Sequence, residues 1–326
     1  MDRKALLDYL GDDWTRTQSL IRSTLGSDIK LLNDTNDYVL EHGGKQLRPV
    51  LSLLMAKACG DGTVTEDSIR YAAAAELLHN ATLLHDDVAD GSEIRRGVPT
   101  VSSVLTPTHS VLIGDYWLAK AVGLVMDANT PVEEVFSLFS NTLILLAEGE
   151  MFQLQKAESG DTTEADYLRI IKSKTGSLFE TACVAAAVSV KAPQEYCDIA
   201  SEYARCLGIA FQIKDDILDY AGGEIGKPVG VDIREQKITM PLLSALERAD
   251  AVRGERIRAL VRQMPEHPEN AGLVMDFVRE YDGIAGAQKR LEEYSGRAAE
   301  TVLALPCSTA RDYLVQLADF TASRDK

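Results

Sequence analysis

Residues 66–90 read EDSIRYAAAAELLHNATLLHDDVAD. Apolar side chains fall at Ala73, Leu77, Leu78, Ala81, Leu84 and Val88, a broad face at 3.6-residue spacing, so the segment is a helix. It is apolar for most of its length and ends in a knot of like charge: Asp86, Asp87 and Asp90. Adjacent carboxylates repel, and burying them unpaired is costly. The same i, i+1, i+4 arrangement returns in FQIKDDILDY, residues 211–220, as Asp215, Asp216 and Asp219. On a helix, positions i and i+4 lie one above the other with i+1 turned by about 100°, so each set forms one acidic patch near a helix end.

The chain around these two segments repeats the helical signal. Residues 132–156 form a long helical pattern. Asp161-Thr-Thr-Glu164 offers a capped start for a helix to about Lys174, Gly176 interrupts it, and alanine-rich residues 177–191 continue it. Residues 195–220 form a further helix ending at Gly222-Gly223. PLLSALERADA and the tail from Ala310 complete the reading. Turn signals are short, no Gly/Ser-rich linker divides the chain, and no alternation is strong enough for a sheet. The expectation is an all-α fold: residues 1–326 as a single-domain bundle of ten or more helices around a central substrate cavity.

Composition narrows the function. The chain has 326 residues, 45% of them hydrophobic and 6% aromatic, with a net charge of −16. Nucleic acid is excluded as a partner, since binding it needs a basic footprint. The five cysteines (59, 183, 197, 206 and 307) are scattered with no CxxC pair, which reads as free thiols in a reducing cytoplasm. The N-terminus carries acids where a signal peptide needs an apolar core. The most apolar runs, such as TACVAAAVSV, are about half the length of a membrane span, so no integral membrane segment is expected.

Six facing carboxylates need cations. Oxygen-only ligands select hard ions, and Mg²⁺ is typically held by one or two carboxylates plus substrate phosphates and water. A calcium loop is excluded, because its acids sit at i, i+2 and i+4 around a glycine. The ligand that fits two acidic walls is a diphosphate clamped by shared Mg²⁺. A diphosphate also wants basic side chains, and these occur in short turns: Lys45 and Arg48 beside Gly43-Gly44, Arg95-Arg96 after Asp90, Lys174, Lys227 and Lys237. GGEIGKP is not a P-loop, since its glycine spacing is one short and proline replaces the Mg²⁺-binding hydroxyl residue.

These pieces resemble the trans-isoprenyl diphosphate synthases. The match is carried by GGKQLRP (43–49), HNATLLHDDVAD (79–90), RRGVPT (95–100), GD (114–115), EGEMFQ (148–153), KT (174–175), FQIKDDILD (211–219) and GKPVGVDIREQKITMP (226–241), in the family's order. Gln46 stands where many members carry a basic residue. The resemblance implies an isoprenoid-synthase-type fold, a homodimer, and elongation of an allylic prenyl diphosphate by isopentenyl diphosphate. It implies that Asp86, Asp87, Asp90, Asp215, Asp216 and Asp219 hold three Mg²⁺ ions on the allylic diphosphate. Arg95, Lys174, Lys227 and Lys237 would contact that diphosphate. Lys45, Arg48, His79 and Arg96 would hold isopentenyl diphosphate, Phe211 would shape its pocket, and Thr175 and Gln212 would line the reacting centre. The tail beyond residue 245 is read as scaffold.

The same resemblance makes residues before the first acid patch a floor for the growing product. Here they are Ala81 and Thr82, with Leu78, Ala75 and Ala74 deeper. From Ala74 to Asp86 such a wall is about 18 Å long. Phe136 and Phe139 are candidates for the final stop. The expectation is a product of six to ten isoprene units, eight favoured, of the kind that serves as a quinone side chain. A class I terpene cyclase shares the fold and metal chemistry, but Asp215, Asp216 and Asp219 stand where cyclases usually carry an Asn/Ser/Glu triad. A non-catalytic subunit generally lacks one or both acid patches. An acidic helical scaffold leaves the basic turns unexplained.

Overall fold

The computed structural model describes residues 2–130, 132–221 and 230–324. In chain order the helices are α1 (Arg3–Thr24), α2 (Lys30–Glu41), α3 (Leu47–Cys59), α4 (Glu66–Ala89), α5 (Val101–Val104), α6 (Pro107–Met126), α7 (Val132–Ser159) and α8 (Glu164–Ile171). A five-residue π-helical turn (Lys172–Gly176) follows. Then come α9 (Ser177–Ser189), α10 (Gln194–Ala221), α11 (Val231–Arg234), α12 (Met240–Arg248), α13 (Ala251–Arg262), α14 (Asn270–Glu280), α15 (Gly283–Val302) and α16 (Thr309–Ser323). The all-helical expectation holds.

Helix starts follow the capping chemistry of the sequence. Thr65 caps α4 in a reciprocal box with Ser68, and Thr163 caps α8 in another with Asp166. α4 is buried on nearly every side along Ile69–Ala81 and packs against α1, α3, α6 and α9, as an all-round apolar helix must. α9 lies against both α4 and α10. α10 is the strut between two cores. Its first half lies in the core shared with α3, α4 and α9, its second half lies in the core shared with α12 and α15, and it packs directly on α8, α9, α12, α15 and α16.

Two features depart from the sequence reading. A short antiparallel hairpin, β1 (Ile94–Arg95) and β2 (Val98–Pro99), pairs Ile94 with Pro99 and Arg95 with Val98. Its turn residues Arg96 and Gly97 both have positive φ, the type I′ geometry that matches strand twist. Two residues per strand are too few to show alternation. The second departure is α7, which is long and apolar enough by length and composition to cross a membrane. Its most apolar 18-residue window has a mean hydropathy of 1.3 and is only 22% buried. No single run revealed it, because glutamates interrupt the apolar residues.

Candidate active site

Both acid patches sit at the C-terminal ends of their helices, α4 and α10, and neither helix has a basic residue in its last turn. The carbonyl end of a helix carries partial negative charge, so three aspartates there are opposed by the macrodipole as well as by one another. Burial pushes Asp86 and Asp90 above the usual carboxylate range, and Glu150 adds to both. The charge of Lys174 pulls both down, and Lys237 does the same for Asp90. Burial raises Asp215, Asp216 and Asp219 as well, Asp216 to about 6.

Four of the six carboxylates, Asp87, Asp215, Asp216 and Asp219, have a definite hydrogen-bond partner. Asp87, buried, accepts from Arg95 Nε at 2.6 Å. Asp215 accepts from Arg324 Nη2 at 2.6 Å. Asp216 accepts from Tyr167 Oη at 2.5 Å and from Gln212 Nε2 at 3.1 Å. Gln212 in turn accepts from Thr175 Oγ1 at 2.9 Å, which ties the π-helical turn to α10. Asp219 caps α11, accepting from the N–H groups of Val231 at 3.1 Å and Asp232 at 3.2 Å.

Lys174 and Lys237 link the two walls. Lys174 stands on the π-helical turn, ion-paired with Glu150 and 3.3 Å from Gln153 Oε1. Lys237 pairs with Glu235. Both line one cavity with Thr175, Gln212, Asp216 and Asp232. Single π-helical turns recur at functional sites because they re-aim side chains within a helix. Here the turn brings Lys174 and Thr175 to this cavity.

Arg48 and Lys45 act by charge on Asp215, and Arg48 also acts on His79. Arg48 is half-buried with its guanidinium 4.9 Å from the Phe179 ring, and burial pulls it down to about 10. His79 is held well below its ordinary value by burial and then by Arg48, Arg96 and Arg95, so it is neutral. Lys45 is exposed at the start of α3, and its charge acts on Asp215. Phe211 packs 5.6 Å from Phe179. Lys227 lies outside the described residues.

Ala74, Ala75, Leu78 and Ala81 are buried on α4, and the Thr82 hydroxyl donates to the His79 carbonyl at 2.8 Å. Phe139 is buried 6.5 Å from Tyr71. Phe136 is 39% exposed. It stands about 60° from Phe139 around α7, just past the edge of the buried face.

Sequence reasoning missed several members of the site. Tyr167 comes from α8, with no local signal. Glu150, Gln153, Asp232 and Glu235 lie inside EGEMFQ and GKPVGVDIREQKITMP, stretches noted without roles for these residues. Arg324 lies in the tail beyond residue 245, which reads in sequence as mostly helical scaffold with no catalytic residue assigned. It follows α16, lies 4.0 Å over the Phe211 ring, and donates to the Phe211 carbonyl at 3.0 Å as well as to Asp215.

An all-helical bundle with two acidic helix ends, where lysines line a cavity at one end and act by charge on the other, defines a class of diphosphate-handling helical transferases. The chain belongs to the polyprenyl synthetase family, whose profile matches residues 29–278, and it is a prenyltransferase. It is 36% identical over 99% of its length to 98% of an all-trans-nonaprenyl-diphosphate synthase (geranyl-diphosphate specific) of Rhodobacter capsulatus. It is 33% identical, over the full length of both, to an octaprenyl diphosphate synthase of Escherichia coli. A crystal structure of a polyprenyl synthase from Caulobacter crescentus, complexed with calcium and isoprenyl diphosphate, superposes with a TM-score of 0.89. The match covers 98% of this chain and 97% of that one at 31% identity.

Proposed function

We propose that this chain is a long-chain all-trans polyprenyl diphosphate synthase, adding isopentenyl diphosphate head-to-tail to an allylic primer such as farnesyl or geranylgeranyl diphosphate. The observation that carries the reading is the pair of acid patches at opposed helix ends with Lys174 and Lys237 between them. Such an arrangement has a purpose only if cations and a polyanion fill it. In this reading Arg95, Lys174, Lys227 and Lys237 hold the allylic diphosphate. Lys45, Arg48, neutral His79 and Arg96 hold isopentenyl diphosphate, and Phe211 shapes that pocket.

Among the described residues no three Asp, Glu, His or Cys side chains are already gathered tightly enough to cage a metal ion. Mg²⁺ keeps water and substrate oxygens and needs only one or two carboxylates at a time. The aspartates are all hard oxygen donors, and several are now engaged by arginine or hydrogen-bond donors. The C. crescentus relative, crystallised with calcium and isoprenyl diphosphate, supports the same ligand chemistry. When bound, Mg²⁺ neutralises charge on the departing diphosphate. Asp86, Asp87, Asp90, Asp215, Asp216 and Asp219 would hold it.

The basic residues stabilise the leaving group as the allylic C–O bond ionises. Thr175 and Gln212, fixed by their mutual hydrogen bond, present oxygen dipoles to the delocalised cation. The isopentenyl double bond then attacks, and the diphosphate takes the proton released. Apolar walls exclude water from the cation. The small side chains Ala81, Ala75 and Ala74 support a chain growing along α4 to about C30–C50, octaprenyl favoured. A role in quinone side-chain synthesis follows from that length. The names of the two relatives, octaprenyl and nonaprenyl, support the range.

We also read residues 1–326 as one domain and the functional unit as a homodimer. Leu112 on α6 and Ile144, Leu145, Met151 and Leu154 on α7 are exposed apolar residues on two helices that pack together. A second copy would cover them, and this reading takes α7 as a protein interface rather than a membrane span. The five unpaired cysteines support a cytoplasmic location. The test is incubation with Mg²⁺, farnesyl or geranylgeranyl diphosphate and labelled isopentenyl diphosphate, followed by sizing of the extracted lipid. Products of thirty to fifty carbons are expected, with turnover abolished by chelator and reduced by orders of magnitude in Asp86→Ala and Asp215→Ala. No elongation from any allylic primer sinks the reading.

A further inference from the structure

Glu76 lies on α4 about three turns before Asp86, and nothing above uses it. It is 3% exposed, between Ala75 and Leu77, which are both fully buried. Its Oε1 accepts from Asn80 Nδ2 at 3.1 Å, and Asn80 is itself anchored to the Glu76 carbonyl at 2.8 Å. Its Oε2 is buried with no hydrogen-bond partner. A buried carboxylate with acceptors unfilled is costly unless another charge compensates it.

Burial raises the Glu76 carboxyl, and the charges of Arg48 and Arg96 oppose that rise from beyond ion-pair distance. Arg48 Nε is also buried without a partner, while the group stacks on Phe179. The Arg96 guanidinium fills the space a side chain on Gly44 would need: a Cβ there would fall 2.5 Å from its carbon. The loop before α3 and the β1–β2 turn are therefore closed onto each other, with Arg48 and Arg96 gathered over α4. Both arginines feel Glu76. Asp215 adds to it at Arg48, and Asp87 adds to it at Arg96. Neutral His79, one turn along α4, contributes no charge to the balance.

We propose that Glu76 is a positioning residue for the isopentenyl diphosphate site: its Asn80-anchored carboxylate is the fixed counter-charge that keeps Arg48 and Arg96 gathered and aimed. Without it, like-charged guanidiniums would spread, and the ordering cost would fall on the incoming anion. This inference rests on the assignment of Arg48 and Arg96 to isopentenyl diphosphate.

Glu76→Gln removes the charge while keeping the shape and an acceptor for Asn80. With each substrate varied separately, its KM for isopentenyl diphosphate is expected to rise tenfold or more. The KM for the allylic primer should stay within twofold, and kcat should change less than the first KM. Glu76→Asp, which keeps the charge, should recover most of the loss. In an Arg48→Met background the same Glu76→Gln change should cost less than threefold. A purely structural role would instead move both KM values together with the melting temperature. An isopentenyl diphosphate KM within twofold of wild type in folded Glu76→Gln overturns the proposal, as do costs of the two substitutions that multiply. If Glu76→Gln does not fold, Asn80→Ala, which frees the carboxylate from its anchor, decides: a KM rise confined to isopentenyl diphosphate supports the proposal, and a rise in both or neither overturns it. If Arg48→Met alone leaves that KM unchanged, the site assignment itself fails, and Glu76's role with it.

Discussion

Asp232 shows what burial does to a carboxylate in this site. Burial, with Asp216 and Asp219 adding, pushes it up to about 8, while an exposed aspartate ionises near 3.8. A raised carboxylate stabilises the fold only in its neutral form. That contribution is complete below the unfolded value near 3.8 and is lost as pH rises towards 8. Asparagine at this position carries no such dependence. Asp232→Asn should therefore match wild type near pH 4, gain on it steadily up to about pH 8, and hold a constant advantage above. Urea midpoints across that range, with chelator present, check this; a gap independent of pH refutes it. The same residue scale explains why Arg95 and Arg324 lie on aspartates. They supply positive charge where the helix dipole is least favourable.

At the scale of elements, catalytic geometry depends on one close crossing. A Cβ on Gly208 of α10 would fall 2.8 Å from the Gly176 Cα and 3.3 Å from its nitrogen. The obstruction is backbone, so α10 and the π-helical turn touch without intervening side chains. That contact puts Thr175 within reach of Gln212. Gly208→Ala gains up to about 1 kcal/mol in helix propensity but meets overpacking of about 1–3 kcal/mol. The clash should win, because main chain cannot rotate away as a side-chain tip can. Denaturant titration should show a net loss of about 1–2 kcal/mol, with kcat falling more than either KM as Thr175 is displaced. Stability at or above wild type means that the crossing is not limiting.

At the scale of the whole molecule, two surfaces matter: the inner wall of α4 and the outer face of α6 and α7. Ala81 is buried one turn or so before the acid patch, where a larger side chain would block a lengthening hydrocarbon. Ala81→Tyr should shorten the product, read by chromatography of the dephosphorylated lipids; unchanged length means that Ala81 does not line the path. On the outer face, Leu112 is 61% exposed and Ile144 52% exposed. Placing Asp at both should dissociate a dimer, since burying two charges at an apolar interface is prohibitive. Sedimentation equilibrium distinguishes the outcomes, and a dimer of undiminished affinity shows that copies meet elsewhere.

The helical class and the two acid patches were legible in the linear sequence. Helix period and i, i+4 adjacency are local properties of the chain, and Asp86/Asp90 and Asp215/Asp219 express them within a single turn. The basic residues were legible as residue types beside turns. The partners of the acids and bases were not: Glu150 for Lys174, Tyr167 for Asp216 and Arg324 for Asp215 come from other elements. Such pairs depend on how α8, α10 and the tail after α16 pack, which no local period encodes. Tertiary structure alone also turned Phe136 outward and left Glu76 buried beside Arg48. Burial and pairing are decided by which faces meet, and that is settled only when the whole bundle closes.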